Sequence, residues 1–344
     1  MAANKAACRL VLDNGVDLSS RVNPRIIDLT LTEKRGDEAD TLDLTIHNHD
    51  GQLAPPKAGA VLKLALGWES LEWGPSNSDG TRWLSAQQGL VEKGSFRVDE
   101  VERSGPPDII TIRARSADLT GDYRTRRTKS WVDTTLGTII QTIAGENGFS
   151  SRITGELAAI PIKAIEQAGK SDMAFVRDLG RRYDAVATVK AGTLIFMPLG
   201  SSTTPSGKAL PTLRLTKVDG WSWSFRHEER TGADGASAEY HDQDAGQRKT
   251  VTTGGSKPKK LKKVYASKAD AEKAAKSAAD KAKRTAYSFT YDLAFGDPAI
   301  TPNMPVQLRG WDSEIDGMKW LVGEVTTRFG AGGLVTAIKL ESAG

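Results

Sequence analysis

The sequence predicts a mainly β fold with an α+β insert: two β-barrel or β-sandwich domains, a small α+β domain, and one long helix rich in alanine and lysine. Three observations predict it. One strand motif occurs twice, once in each half of the chain. Two stretches between the copies place apolar residues at helical spacing. A third, from Ser267 to about Ala286, is a capped run of alanines and charges.

In the first copy of the motif, Val61-Leu62-Lys63-Leu64-Ala65-Leu66 ends in Gly67-Trp68. A variable loop leads to Phe96-Arg97-Val98-Asp99-Glu100-Val101, and a turn to Ile109-Ile110-Thr111-Ile112-Arg113-Ala114. In the second copy, Pro305-Val306-Gln307-Leu308-Arg309 ends in Gly310-Trp311. A shorter loop leads to Trp320-Leu321-Val322-Gly323-Glu324-Val325, and the turn Phe329–Gly333 to Leu334–Leu340. Both middle strands read aromatic-x-Val-x-Glu-Val. Self-similarity at long range signals a duplicated unit, although amphipathic strands also share such residues by chance.

The other elements follow in order. Cys8–Leu12 is a strand running into Asn14-Gly15, a hairpin signal. Ile26–Leu31 and Leu42–Ile46 alternate apolar and polar residues, as half-buried strands do. Glu69 to Gly89 holds Trp73 and Trp83 among small polar residues and reads as a long surface loop. Thr134–Ala144 is a helix with Asp133 as candidate N-cap, and Ser171–Gly180 a second helix capped by Ser171. Ala185–Val189 and Thr193–Met197 flank Lys190-Ala191-Gly192 as a hairpin. Ser201–Gly207 is a linker by composition. Strands resume at Leu213–Leu215 and Trp221–Phe225, where Trp221, Trp223 and Phe225 share one face. Residues 226–263 are polar and glycine-rich, with Lys257-Pro258-Lys259-Lys260-Leu261-Lys262-Lys263 as a solvated loop.

In the long helix, Ser267 and Asp270 form a capping-box-like pair. Glu272–Lys276 and Asp280–Arg284 are oriented as i,i+4 pairs. Ala271, Ala274, Ala275, Ala278 and Ala282 make a small-residue stripe that lets the helix lie close to a flat surface such as a sheet. Ser288–Phe295 and the second motif complete the chain. The domain reading is 1–116, 117–199 and 200–344, with the helix at 267–286 in the last.

The 344 residues are enough for two or three domains. With 47 Lys+Arg against 43 Asp+Glu, the charge is nearly balanced, which argues against a dedicated nucleic-acid binder. No apolar run approaches the ~20 residues of a membrane span, and Met1–Lys5 lacks a signal-peptide core. Cys8 is the single cysteine, so an intrachain disulfide is impossible and a reducing cytoplasm fits.

Catalytic constellations are weak. His47-x-His49-Asp50 offers two imidazoles, whereas zinc sites use three or four protein ligands. No Gly-x-Ser-x-Gly elbow or phosphate loop occurs, and Cys8 begins an apolar strand. The reading is therefore no enzyme, with no cofactor and no metal. The lysine run could meet phosphates or an acidic protein surface. The helix from Thr135 to Ala144 loosely resembles the first helix of a LysM glycan-binding module, which keeps a tail-associated cell-wall (glycan) binding or degrading protein as the alternative.

Three stretches together resemble the phage late control gene D family, the baseplate hub proteins of contractile tails. They are Gly94–Asp108 with Ile112–Leu119 and Arg124–Trp131, then Lys170–Phe175 with Leu179–Ala185, then Tyr265–Ala271 with Leu293–Gly296, Thr301–Val306 and Gly310-Trp311. They span most of residues 90–340, and the first 90 residues resemble the family less distinctly.

The family is similar to the hub part of the type VI spike protein VgrG. The resemblance implies two tail-tube-like β-domains per chain and a homotrimer presenting six such domains in a ring. The ring would adapt a hexameric, six-fold tail tube to a trimeric tail spike and form a conduit. Tape-measure and baseplate wedge proteins are further partner candidates. DNA would pass through without specific binding, and no membrane anchor is involved. The particle, infectious or pyocin-like, would be assembled from chains made in the bacterial cytoplasm. In this setting Arg97, Asp99, Arg113 and Arg115 are expected at the lumen or a subunit interface, opposite Val98 and Ile112. Lys257, Lys259, Lys260, Lys262 and Lys263 are expected on a partner-facing basic loop.

Overall fold

The computed structural model describes residues 4–35, 39–70, 89–117, 122–190, 192–201, 211–228, 235–242, 245–284 and 286–343. The predicted Trp73–Trp83 loop lies outside the described residues. The protein is mainly β.

The first six strands are β1 (Lys5–Leu12), β2 (Ile26–Lys34), β3 (Thr41–His47), β4 (Val61–Ser70), β5 (Gly89–Ser104) and β6 (Ile109–Ser116), with a short helix α1 (Ser19–Val22) after β1. Alternation decides their faces. In β3, Leu42, Leu44 and Ile46 are buried while Asp43 and His47 are exposed. The Asn14-Gly15 turn forms, with Gly15 at φ 86° and Val16 N donating to Asn14 Oδ1 at 3.1 Å. It closes a minimal hairpin, with an antiparallel bridge between Val11 and Asp17, Leu12 N donating to the Val16 carbonyl at 2.9 Å and Leu18 N to the Leu10 carbonyl at 2.8 Å. Ser19 Oγ accepts from Leu10 N at 3.0 Å, diverting the chain into α1, and β1 pairs antiparallel with β4.

Next come β7 (Arg126–Thr135), α2 (Leu136–Glu146), β8 (Ser150–Ile153), α3 (Gly155–Ala158), β9 (Pro161–Ser171), α4 (Asp172–Tyr183), β10 (Ala185–Lys190) and β11 (Thr193–Pro198). The cap of α2 is Thr135, whose Oγ1 accepts from Thr138 N at 3.2 Å. Asp133, the expected cap, stays within β7 at φ 44°. Ser171 caps α4 as predicted, accepting from Ala174 N at 3.2 Å. Asp172 beside it is fully buried and accepts from Asn147 Nδ2 and Gln167 Nε2, each at 2.8 Å. Leu136, Ile139, Ile140 and Ile143 of α2 fill the core with Phe175, Val176 and Leu179 of α4.

The remaining elements are β12 (Leu213–Thr216), β13 (Gly220–His227), β14 (Gly235–Asp242), β15 (Gln247–Gly254), β16 (Pro258–Tyr265), α5 (Lys268–Arg284), β17 (Tyr287–Leu293), β18 (Pro305–Arg309), α6 (Ser313–Gly317), β19 (Trp320–Gly330) and β20 (Gly333–Ser342). The stretch read as polar loop therefore holds a three-stranded sheet, β15-β14-β16. Lys259, Lys260, Lys262 and Lys263 lie on β16 and not on a loop, and Lys257 directly precedes it. Pairing with β14 supplies the backbone hydrogen bonds that override the charge of the run.

Helix α5 lays Ala271, Ala274, Ala275 and Ala279 on Ala236, Ala238 and Tyr240 of β14. Small residues on both sides allow this close approach, as the alanine stripe predicted. The surface it covers is the three-stranded sheet, not the outside of the main β-sheet. Ser267 Oγ accepts from Asp270 N at 3.2 Å and donates to Asp270 Oδ2 at 3.0 Å. The i,i+4 expectation is corrected: Glu272 pairs back to Lys268 at 3.7 Å, and Arg284 forms a two-pronged pair with Asp184.

One 12-stranded sheet runs in the order β1-β4-β5-β6-β3-β2-β19-β20-β17-β13, with β18 on β19 and β12 on β18. This is a single arrangement used twice. The first six strands lie as first, fourth, fifth, sixth, third, second. The set β12, β13, β17, β18, β19, β20 lies in the same order of its own members. Registers agree as well: Val61 faces Arg97 and Leu62 faces Phe96, while Pro305 faces Leu321 and Val306 faces Trp320. The two sets differ in that β1 is antiparallel to β4, whereas β12 is parallel to β18.

The repeats join through β2 and β19, from Lys34 opposite Glu324 to Asp28 opposite Gly330. Around this join, Trp68 stacks on Phe295 at 4.4 Å and donates to the Gly296 carbonyl at 2.9 Å. The chain divides into two compact units that interleave in sequence. Met1–Asp118, Pro211–Ser224 and Phe289–Leu340 form one; Leu119–Leu210, Phe225–Ser288 and Glu341–Gly344 form the other.

Candidate assembly interface

The residues singled out on β5 and β6 share one exposed face. Phe96, Val98, Ile112 and Ala114 point into the core, and Arg97, Asp99, Arg113 and Arg115 point out. A bulge between Val98 and Glu100 leaves Asp99 with no residue opposite it in the register with β6. It places two acidic residues side by side on the exposed surface. Arg115 Nε donates to Asp99 Oδ2 at 2.6 Å, and Arg113 Nη1 to Glu100 Oε2 at 2.8 Å. Glu102 lies 3.7 Å from Arg113. These hydrogen bonds hold both guanidinium groups above their ordinary pKa, with Glu100 the main cause for Arg113 and Asp99 for Arg115. Two arginines of β6 thus face three carboxylates of β5, with Arg97 beside them opposite Arg115. Exposed pairs of this kind contribute little to stability; their effect is a surface of dense but balanced charge. Sequence reading found the arginines and missed Glu100 and Glu102 as partners, because the bulge shifts the alternation by one.

Among the described residues, the outer edges of β1 and β12 end the sheet, and two further stretches of strand edge are open. The far edge of β13 ends the sheet path. Around it, Val218 is 86% exposed and Trp221 64% exposed. Trp223 is anchored by stacking on Phe289 at 5.9 Å. The second open edge is the C-terminal part of β5. β4 covers β5 only as far as Arg97, and Gly59 and Ala60 extend the bonding to Val98. From Glu100 to Ser104, β5 pairs with β6 alone. Unpaired edges are sites for strand addition. Sequence reading marked Trp221 and Trp223 as one face of a strand and did not place them at an edge, because edge position depends on strand order.

The lysines divide. Lys260 pairs with Glu239 at 2.5 Å. Lys263 is exposed over much of its surface, yet it is held below its ordinary pKa, first by partial desolvation at the cavity rim and then by Arg182 and Lys170. Lys259 and Lys262 are exposed like the other two and lie outside the lining of the cavity that Lys263 joins. Among the described residues no cluster of three or more His, Cys, Asp or Glu could hold a metal, and no helix is long and apolar enough to cross a membrane. The helix likened to a glycan-binding module, α2, spends its apolar residues on the core.

Residues 41–333 match the profile of the phage tail baseplate hub family. The chain belongs to the phage tail baseplate hub family. It is 35% identical to the probable baseplate hub protein of Escherichia phage 186, over 95% of this chain and 91% of that protein. Its fold is similar to a tail protein of Neisseria meningitidis MC58, with TM-score 0.65 and 12% identity over 98% of this chain and 96% of that one. It is also similar in fold to a chain of the Francisella PdpA-VgrG complex, with TM-score 0.54 and 9% identity over 99% of this chain and 58% of that one. The hub family is structural rather than enzymatic, so this protein is a component of the virion tail.

Proposed function

We propose that this hub protein forms a closed ring of three chains, in which β13 of one copy pairs antiparallel with Glu100–Ser104 of β5 in the next. The repeat carries this reading. Within one chain, β2 of the first repeat pairs with β19 of the second, beginning at Glu324. In the second repeat the counterpart of β2 is β13, and in the first the counterpart of β19 is β5, with Glu100 matching Glu324. Those counterparts are the open edges. Repeating the internal junction between chains closes them, which is the heterologous contact that makes a ring when its rotation closes.

Three chains then present six similar β-units, two per chain, within the division 1–116, 117–199 and 200–344. Six units suit a hexameric tail tube, and the remainder of each chain, repeated three times, suits a trimeric spike. Arg97, Asp99, Arg113 and Arg115 line the conduit, where balanced charge passes DNA or tape-measure protein without holding it. Wedge proteins would meet the outer surface. The chain is made in the bacterial cytoplasm and incorporated there into the baseplate.

The test is the solution mass of the purified chain, alone and with a trimeric spike protein, followed by image averaging. A mass of three chains with six lobes around a channel is expected. Trp221→Asp should abolish that mass while leaving the circular dichroism unchanged. A monomer under both conditions would remove the ring.

A further inference from the structure

A cavity of about 370 Å³ opens between β9, α4, β16 and α5 within the second unit. Its floor includes Phe175, Leu261 and Tyr265. Its rim carries five cationic residues, Lys170, Arg181, Arg182, Lys263 and Lys281, against two acidic ones, Glu166 and Asp178. Asp178 is already shared, accepting from Arg181 at 3.2 Å and pairing with Lys170. Arg182 stacks over Tyr265 at 4.8 Å, and its Nη1 is shielded from solvent with no hydrogen-bond partner among the described residues. The rim therefore carries an excess of cations, and a carboxylate is the anion that a guanidinium pairs with best.

We propose that this cavity binds an acidic peptide segment of a partner protein, with a side-chain carboxylate between Arg182 and Lys263 and apolar neighbours on the Tyr265 floor. The donors are side chains on long stems above an apolar surface. That geometry fits a carboxylate carried on an aliphatic chain, flanked by apolar residues. The charge at the rim agrees. Arg182 and Lys170 repel the Lys263 ammonium, with Asp178 and Asp270 opposing them only in part. A bound anion would offset that repulsion. The bulge of β16, where Ser237 faces Lys260 but Glu239 faces Val264, turns this stretch of the lysine run toward the cavity instead of along the ladder. This site is independent of ring closure.

The test uses the full-length chain and a fluorescein-labelled hexapeptide alternating leucine and glutamate, read by anisotropy. Saturable binding is expected, weaker by about tenfold or more for the glutamine version of the peptide and for Lys263→Gln and Arg182→Gln. Lys259→Gln, on the same strand but outside the cavity, should bind as the parent does. If Arg182→Gln fails to fold, Lys263→Gln decides alone. The proposal is overturned if neither peptide binds, if the glutamine peptide binds equally well, or if Lys263→Gln binds like the parent. Saturable binding of inorganic phosphate without peptide binding would overturn it in favour of a phosphate site.

Discussion

Lys93 shows how one side chain can join two repeats. The register between β4 and β5 skips it, Leu64 facing Gly94 and Ala65 facing Glu92, so the bulge turns it inward. Its ammonium meets Glu33 Oε2 at 2.5 Å and the Pro298 carbonyl at 2.8 Å, with the side chains of the ion pair almost wholly buried. Such a pair holds only while both partners remain. Lys93→Ala should cost about 3–5 kcal/mol in denaturant melts, and adding Glu33→Gln should recover part of it. A single variant as stable as the parent would show that water reaches the site. Nothing in the sequence revealed this lysine, because a bulge has no signature in a short polar run. Cys8, by contrast, was legible as an apolar strand residue. Burial pushes its thiol up to about 12. The folded state thus binds the proton more tightly than the unfolded one. Its contribution to stability is full below the ordinary thiol range and declines as pH rises through that range toward 12. At about pH 8 a disulfide reagent should label the native chain slowly and the unfolded chain fast; equal rates would mean an open thiol.

At the scale of elements, helices were easier to read than strands. A cap and an apolar stripe are local, so Ser171 and Ser267 announced α4 and α5 correctly. Strand β16 was hidden because its sequence, Pro-Lys-Lys-Leu-Lys-Lys-Val-Tyr, spaces apolar residues by three, and its ladder is interrupted by the bulge. The alanine stripe of α5 gave the right surface type but not which sheet, since the small-residue strand that receives it, β14, was itself unread. Ala275 is fully buried against that sheet. Ala275→Leu has no room and should cost about 1–3 kcal/mol. The loss should appear as faster hydrogen exchange in β14 and β16, with the twelve-stranded sheet still protected. Unchanged exchange in β14 would place the helix elsewhere.

For the whole molecule, three of the six repeated strands were legible: the motif containing the paired Gly-Trp sites and the aromatic-x-Val-x-Glu-Val strands. The other three were not. β1, β2 and β3 share no residue pattern with β12, β13 and β17, and β14–β16 with α5 separate β13 from β17. Only strand order exposes the full duplication, and with it the open edges. The ring built on those edges makes the charged face of β5 and β6 a lumen, which has an electrostatic consequence. Asp43 faces Arg113 across β3 and β6, and Asp99 pairs with Arg115. Reversing both, as Asp43→Lys with Asp99→Lys, adds two charges at each site and so about four per chain, or about twelve per ring of three. Both side chains are exposed on the sheet surface, and the backbone stretch that closes the ring starts at Glu100, just past Asp99, so ring mass and melting temperature should not change. A positive lumen would hold DNA by its phosphates. Release from assembled particles should slow, and should recover between about 50 and 200 mM salt as counterions compete. Release at the parental rate across that range would put this face outside the conduit.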